Sequence, residues 1–197
     1  MVAHTVWIKQ QEGVVGIKNW YISFAIYKTC LFWNKMKSFY TILTLVILLF
    51  LFTYYTYYNR GLQGEYFRDT DFKDLVATII DTDIVFDTRD SFHENLPINH
   101  FSIKWSGFIE TPQEGNYTFI IYNDDGIKLW VDGTLIIDDW NTQGQKRNRG
   151  KIALTKGKHP ITIHYFEDVS RAVIKLLWIP PGFHKELYVP TKRLSHE

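Results

Sequence analysis

Tyr122-Asn123-Asp124-Asp125-Gly126-Ile127-Lys128-Leu129-Trp130-Val131-Asp132-Gly133-Thr134-Leu135-Ile136-Ile137-Asp138-Asp139-Trp140 reads as strand-forming runs set between two turn signals. Asp125-Gly126 and Asp132-Gly133 mark the turns, because glycine reaches the positive φ that a tight hairpin needs. Residues 116–122 and 127–131 are rich in β-branched and aromatic side chains. Three antiparallel strands in a meander are therefore expected, with the adjacent carboxylates of Asp124 and Asp125 at the first turn.

Further short strands are expected on either side. Residues 62–67, 101–109 with Trp105 and Phe108, 151–154, 161–166, 172–179 and 187–189 have the composition of strands, with turn signals between them. Such spacing suggests an all-β, antiparallel sandwich or barrel. Residues 75–86 carry no decisive pattern, and 89–100, with Asn95 and Pro97, read as a loop. There is no internal repeat.

A charge-free apolar run precedes this region. Residues 38–58 number 21, and about 20 apolar residues are what a helix needs to cross a bilayer. Five lysines (Lys9, Lys18, Lys28, Lys35, Lys37) and one acid, Glu12, lie before it, so the positive-inside bias places residues 1–37 in the cytoplasm and residues 59 onward outside. Tyr54, Tyr55, Tyr57 and Tyr58 suit an outer interfacial belt, and no small-x-small cleavage site follows. A retained signal anchor is favoured over a cleaved signal peptide, which would leave a secreted protein. Residues 1–37 are expected to be a short cytoplasmic segment. The alternative, since Met36-Lys37 directly before the core has the layout of an export-signal start, is that the chain starts at Met36 and residues 1–35 are an upstream extension that is not always translated. Cys30 is the chain's single cysteine and falls on the inner side, so the exported part must hold together by core burial, helped by an ion if one binds.

The ordered blocks Gly61-Leu-Gln-Gly-Glu-Tyr-Phe67, Phe101-Ser-Ile-Lys-Trp-Ser-Gly-Phe-Ile109, Gly115-Asn-Tyr-Thr-Phe119, Asp124-Asp-Gly-Ile-Lys-Leu-Trp-Val-Asp-Gly133, Ile161-Thr-Ile-His-Tyr-Phe-Glu167 and Leu176-Leu-Trp-Ile-Pro-Pro-Gly182 closely resemble the PA14 domain. This family occurs in glycosidases, toxins and cell-surface adhesins. The resemblance spans residues 61–194 and implies a β-sandwich or barrel that binds carbohydrate in many members. In the sugar-binding adhesins, two consecutive aspartates joined by a cis peptide chelate Ca²⁺, which in turn holds sugar hydroxyls. Asp124 and Asp125 match that pair. Calcium takes six to eight hard oxygen ligands, and adjacent carboxylates supply several while leaving positions open. The adhesins complete the site from a later loop, usually with Asn; the corresponding Glu167-Asp168-Val-Ser-Arg171 has none, and Asp168 is the expected substitute. Gly126 and Trp140 complete the expected ligand surface, Trp140 as a platform for the apolar face of a pyranose.

Other readings of these residues are simpler. Asn-Asp-Asp-Gly makes a good turn without any metal. Trp105, Trp130 and Trp178 lie in alternating strands and suit a packed interior. A glycosidase needs two carboxylates flanking one bond, but neighbours such as Asp138 and Asp139 point to opposite faces of a strand. His159, His164 and His184 show no metal-ligand spacing. The basic cluster Lys146-Arg-Asn-Arg-Gly-Lys151 reads as a solvated hairpin loop, and placement outside the cell argues against nucleic acid. The expected protein is a membrane-tethered, non-enzymatic extracellular module that binds a glycan or cell-surface polysaccharide, with calcium as cofactor. The alternative is a structural or protein-interaction ectodomain without metal or sugar.

Overall fold

The computed structural model describes residues 3–87 and 92–197. The Cys30 side chain and residues 88–91, which include the first three residues of the expected 89–100 loop, lie outside the described residues. The chain divides into two compact units, residues 1–55 and 56–197. Helix α1, Ala3–Tyr58, contains no proline and runs without interruption. Residues 1–35 show no clear helical period in sequence, yet the helix already begins at Ala3. Among the described residues, Tyr27–Tyr58 is long and apolar enough to cross a membrane.

From residue 59 onward the described residues form β-strands, with a 3-10 turn at Thr191–Arg193. One antiparallel sheet contains β1 (Leu62–Phe67), β2 (Leu75–Asp81), β4 (Phe101–Thr111), β6 (Gly126–Val131), β7 (Thr134–Asp139), β9 (Gly157–Glu167) and β12 (Leu194–Ser195), in the order β2-β1-β4-β9-β6-β7 with β12 on β4. The other contains β3 (Val85–Phe86), β5 (Gly115–Asp124), β8 (Lys146–Leu154), β10 (Val173–Ile179) and β11 (Leu187–Tyr188), in the order β11-β10-β5-β8 with β3 on β10. The two pack as a sandwich, and among the described residues both sheets are open.

The expected meander is not present. β5 pairs with β8 and β10, whereas β6 pairs with β7 and β9 in the opposite sheet. Asp124 to Gly126 therefore carries the chain from one sheet to the other rather than around a hairpin. Alternation along residues 116–131 is compatible with either arrangement, since it reports which face is buried and not which strand lies alongside.

The core lies between the sheets. Alternate residues of β4 (Ile103, Trp105, Ile109), β9 (Ile161, Ile163, Tyr165) and β10 (Ile174, Leu176, Trp178) point into it. Trp105 is fully buried, and its indole N–H donates to the Asp81 carboxylate at 2.6 Å, which also accepts from the Tyr66 hydroxyl at 2.7 Å. Burial raises the Asp81 carboxyl above the ordinary range despite these donors. Trp178 joins the core too, whereas Trp130 faces outward with Lys128 and His164. The basic cluster is part of strand β8, not a loop: Lys146 pairs with Asp139 at 2.7 Å and Arg147 with Glu186.

Candidate functional site

The crossing between sheets brings carboxylates together. The Asp124–Asp125 peptide bond is cis, as the family resemblance implies. Asp124 ends β5 and Asp125 follows it, while Glu167 ends β9, the strand beside β6. All three residues are buried, and one carboxylate oxygen of each lies within 4.8 Å of the other two. Ligands on opposite sides of a Ca²⁺ ion at roughly 2.4 Å are separated by about that distance, so one ion would span the three.

Hydrogen bonds hold the crossing in place. Asp125 Oδ1 accepts from the backbone N–H of Gln143 at 2.6 Å, and Oδ2 accepts from the backbone N–H of Asp168 at 2.8 Å. The Asn123 amide donates to the Asp125 carbonyl, and the Tyr165 hydroxyl to the Asp124 carbonyl. Tyr165 also lies 3.2 Å from Glu167 Oε2. The other Glu167 oxygen, Oε1, is buried with no hydrogen-bond partner. A buried acceptor of this kind costs about 1–3 kcal/mol, more when charged, unless something satisfies it.

Electrostatics agree with the geometry. Burial, then the neighbouring Asp125 and Asp124, push Glu167 up to about 8. Burial and Asp125 likewise raise Asp124. Three crowded carboxylates cannot all ionise without a compensating cation, so the cluster retains a proton at neutral pH when no cation is bound. The donor set, hard oxygens with one lacking any partner, fits calcium.

The sequence expectation for the third ligand differs from this arrangement. The Asp168 carboxylate turns away, Oδ1 to His100 Nδ1 at 2.8 Å and Oδ2 to the Thr142 hydroxyl at 3.2 Å, and only its backbone N–H reaches Asp125. Glu167 rather than Asp168 joins the carboxylate cluster because residues 161, 163, 165 and 167 of β9 are all buried on its inward side, whereas residue 168 begins the loop. A glutamate on the apolar phase of a strand was the available signal for a buried carboxylate needing a partner.

Gly126 is buried, and a Cβ there would lie 2.0 Å from the Phe166 ring, so close packing accounts for the glycine. Trp140 stacks edge-on to Phe166 at 4.7 Å, outside the carboxylate cluster, with Lys128 Nζ 5.8 Å from its ring centroid. Asp138 and Asp139 diverge as expected. Asp138 pairs with Lys128 at 3.3 Å, whereas Asp139 is buried. Burial opposes ionisation of Asp139, but hydrogen bonds from Lys146, Gln143, Asn148 and Asn141 outweigh it and hold the carboxyl well below its usual range. Asp139 thereby braces the 140–145 loop, whose Gln143 N–H meets Asp125.

Fold and site together define a two-sheet β module that gathers three carboxylates where the chain passes between its sheets. The chain belongs to the PA14 domain family, which matches residues 58–192. It is 35% identical over 136 residues to the anti-sigma-I factor RsgI3 of Acetivibrio thermocellus, covering 68% of this chain and 21% of that protein. To the protective antigen of Bacillus anthracis it is 32% identical over 136 residues, 66% of this chain and 17% of the other. The chain thus spans about a fifth of the length of each of these relatives. Among solved structures, a PA14 sugar-binding domain from an RTX adhesin superposes with a TM-score of 0.60 at 20% identity, covering 71% of this chain and 99% of the domain. At that identity the likeness concerns the fold.

Proposed function

We propose that residues 61–194 form an extracellular carbohydrate-binding module, tethered to the membrane through residues 38–58, that holds its ligand through a calcium ion at Asp124, Asp125 and Glu167. The observation that carries this reading is the partnerless, buried Oε1 of Glu167 beside two aspartates. When bound, calcium would supply coordination positions for vicinal sugar hydroxyls. The chain's own residues do the positioning: Gln143 and Asp168 orient Asp125 through their backbone N–H groups, and Tyr165 steadies both Asp124 and Glu167. The adhesin domain's description as sugar-binding supports the ligand class.

The test is thermal unfolding of the full chain in detergent micelles, with excess Ca²⁺ and with a chelator. A ligand bound only by the native state stabilises by about 2.7 kcal/mol at one hundred times its dissociation constant, so the midpoint should rise clearly with calcium. A glycan screen in calcium follows.

One observation favours the alternative, a protein-contacting ectodomain. Both Asp125 carboxylate oxygens already accept backbone hydrogen bonds, as a purely structural turn would require. An unfolding midpoint indifferent to calcium would select that reading.

A further inference from the structure

The outer face of the seven-stranded sheet carries features that the carboxylate cluster does not explain. Lys104, His164 and Lys128 stand opposite one another on β4, β9 and β6. Trp130, one outward position further along β6, packs on His164 with ring centroids 4.7 Å apart. The β1–β2 loop folds back over this face. The Ser102 hydroxyl donates to the Asp69 carbonyl at 2.6 Å, and the Asp69 carboxylate accepts from the backbone N–H groups of Asp71, Lys73 and Asp74 at 2.6–3.2 Å.

Held by this loop, Phe72 has φ = 61° and places its ring 5.0 Å from His164 and 5.9 Å from Trp140. The left-handed region is costly for a phenylalanine, and residues kept there cluster at functional sites. Two depressions adjoin along the rings. One, of about 290 Å³, lies against Trp130, Pro160, Thr162 and His164. The other, of about 410 Å³, is bounded by Phe72, Lys128, Trp130, Trp140 and His164. Trp130 and His164 are common to both, so together they form one groove.

We propose that this groove is a second binding site, independent of calcium, for a neutral β-linked polysaccharide chain. The inference goes beyond the calcium site and uses none of its three carboxylates. A β-1,4-linked chain with equatorial hydroxyls is a flat ribbon whose rings present apolar faces, and Phe72, Trp130 and Trp140 are the complementary surfaces. Adjoining depressions that share a tryptophan suit consecutive units of one chain, and their volumes fall at the lower end of the scale for small-ligand sites. The rim has the Lys104 ammonium group beside Phe72 and two ion pairs, Lys128–Asp138 at 3.3 Å and Lys73–Asp71 at 2.9 Å. Donors and acceptors already neutralised in pairs match hydroxyls, which are both, better than they match an acidic polymer or nucleic acid. Burial, with Lys104 and Lys128 alongside, pushes His164 down to about 4, so it meets the ligand as a neutral ring.

The test uses the full chain in detergent micelles with cellohexaose and xylohexaose, followed by calorimetry and tryptophan fluorescence in a chelator. Binding of at least one probe is expected with a change in tryptophan emission, weakened tenfold or more by Trp130→Ala and by Phe72→Ala. Phe72 lies on a loop, so its truncation leaves the strands in place, and unfolding midpoints check both variants. Because a chelator removes any calcium-dependent binding, failure of the calcium reading would leave this result standing. Absence of binding in chelator, binding that Phe72→Ala leaves unchanged, or a preference for polygalacturonate over both neutral probes would each overturn the proposal.

Discussion

Asp125 Oδ2 accepts a hydrogen bond from the backbone N–H of Asp168 across 2.8 Å, tying the crossing between the sheets to the loop that follows β9. With the Gln143 N–H on Oδ1, this makes Asp125 the point where three segments of chain meet. The side chain is buried, so the bonds are screened little by water.

Asp125→Ala should therefore destabilise the protein by about 2–5 kcal/mol even in a chelator, because two backbone donors lose their acceptor at once. Asp125→Asn, which keeps one carbonyl oxygen, should cost less than Asp125→Ala. Denaturant unfolding of the three proteins in chelator measures the difference, and equal stabilities would contradict this account of the crossing.

Glu167→Gln separates the ion from the fold. The amide oxygen preserves an acceptor for Tyr165, and without an ion the Glu167 carboxyl already holds its proton at pH 7, so stability in chelator at that pH should be little changed. Any calcium-dependent rise in the unfolding midpoint should be abolished, because a ligand of formal negative charge is gone. A full calcium response in this variant would place the ion elsewhere.

Gly126→Ala should cost about 1–3 kcal/mol by overpacking. The added methyl would meet the Phe166 ring, which cannot swing aside because Trp140 packs on it at 4.7 Å. Alongside the drop in stability, near-ultraviolet circular dichroism should report the disturbed Phe166–Trp140 pair. A neutral substitution would show that the ring has room to move.

His164 gives a pH dependence of known sign. Its folded-state value, about 4, lies below the ordinary histidine value of 6.5, so the unfolded chain takes up the proton first. The protein should lose stability from this group as pH falls from about 7 towards 4, and nothing above that window. The ring is half-buried beside Lys104 and Lys128, and solvent screening limits the effect to about 1–2 kcal/mol. Denaturation midpoints of wild type and His164→Gln at pH 7.5 and 4.5 isolate it: the variant should show the smaller acid loss, since background carboxylate effects are common to both.

Most strands were legible because their side chains alternate, and the fold family because its blocks occur in order. β2 was missed: its residues Leu75 to Asp81 lie at an edge, largely exposed, without a buried face to impose a period. The basic cluster was misread as a loop because charge suggests solvent, but β8 is likewise an edge strand that keeps its long cations outside. Asp124 and Asp125 stood out as adjacent carboxylates before glycine. Glu167 did not, because its role depends on β9 lying beside β6.

By itself the sequence determined the apolar run long enough to span a bilayer, the all-β class of the remainder and the aspartate pair, since each depends on local composition, period or an ordered motif. Only the tertiary structure decided that β5 and β6 belong to opposite sheets, that Glu167 rather than Asp168 completes the carboxylate cluster, and that Phe72, Trp130 and Trp140 line one groove. Those relationships join residues up to 68 positions apart, as Phe72 and Trp140 are, and a period of two along each strand carries no information about which strands become neighbours.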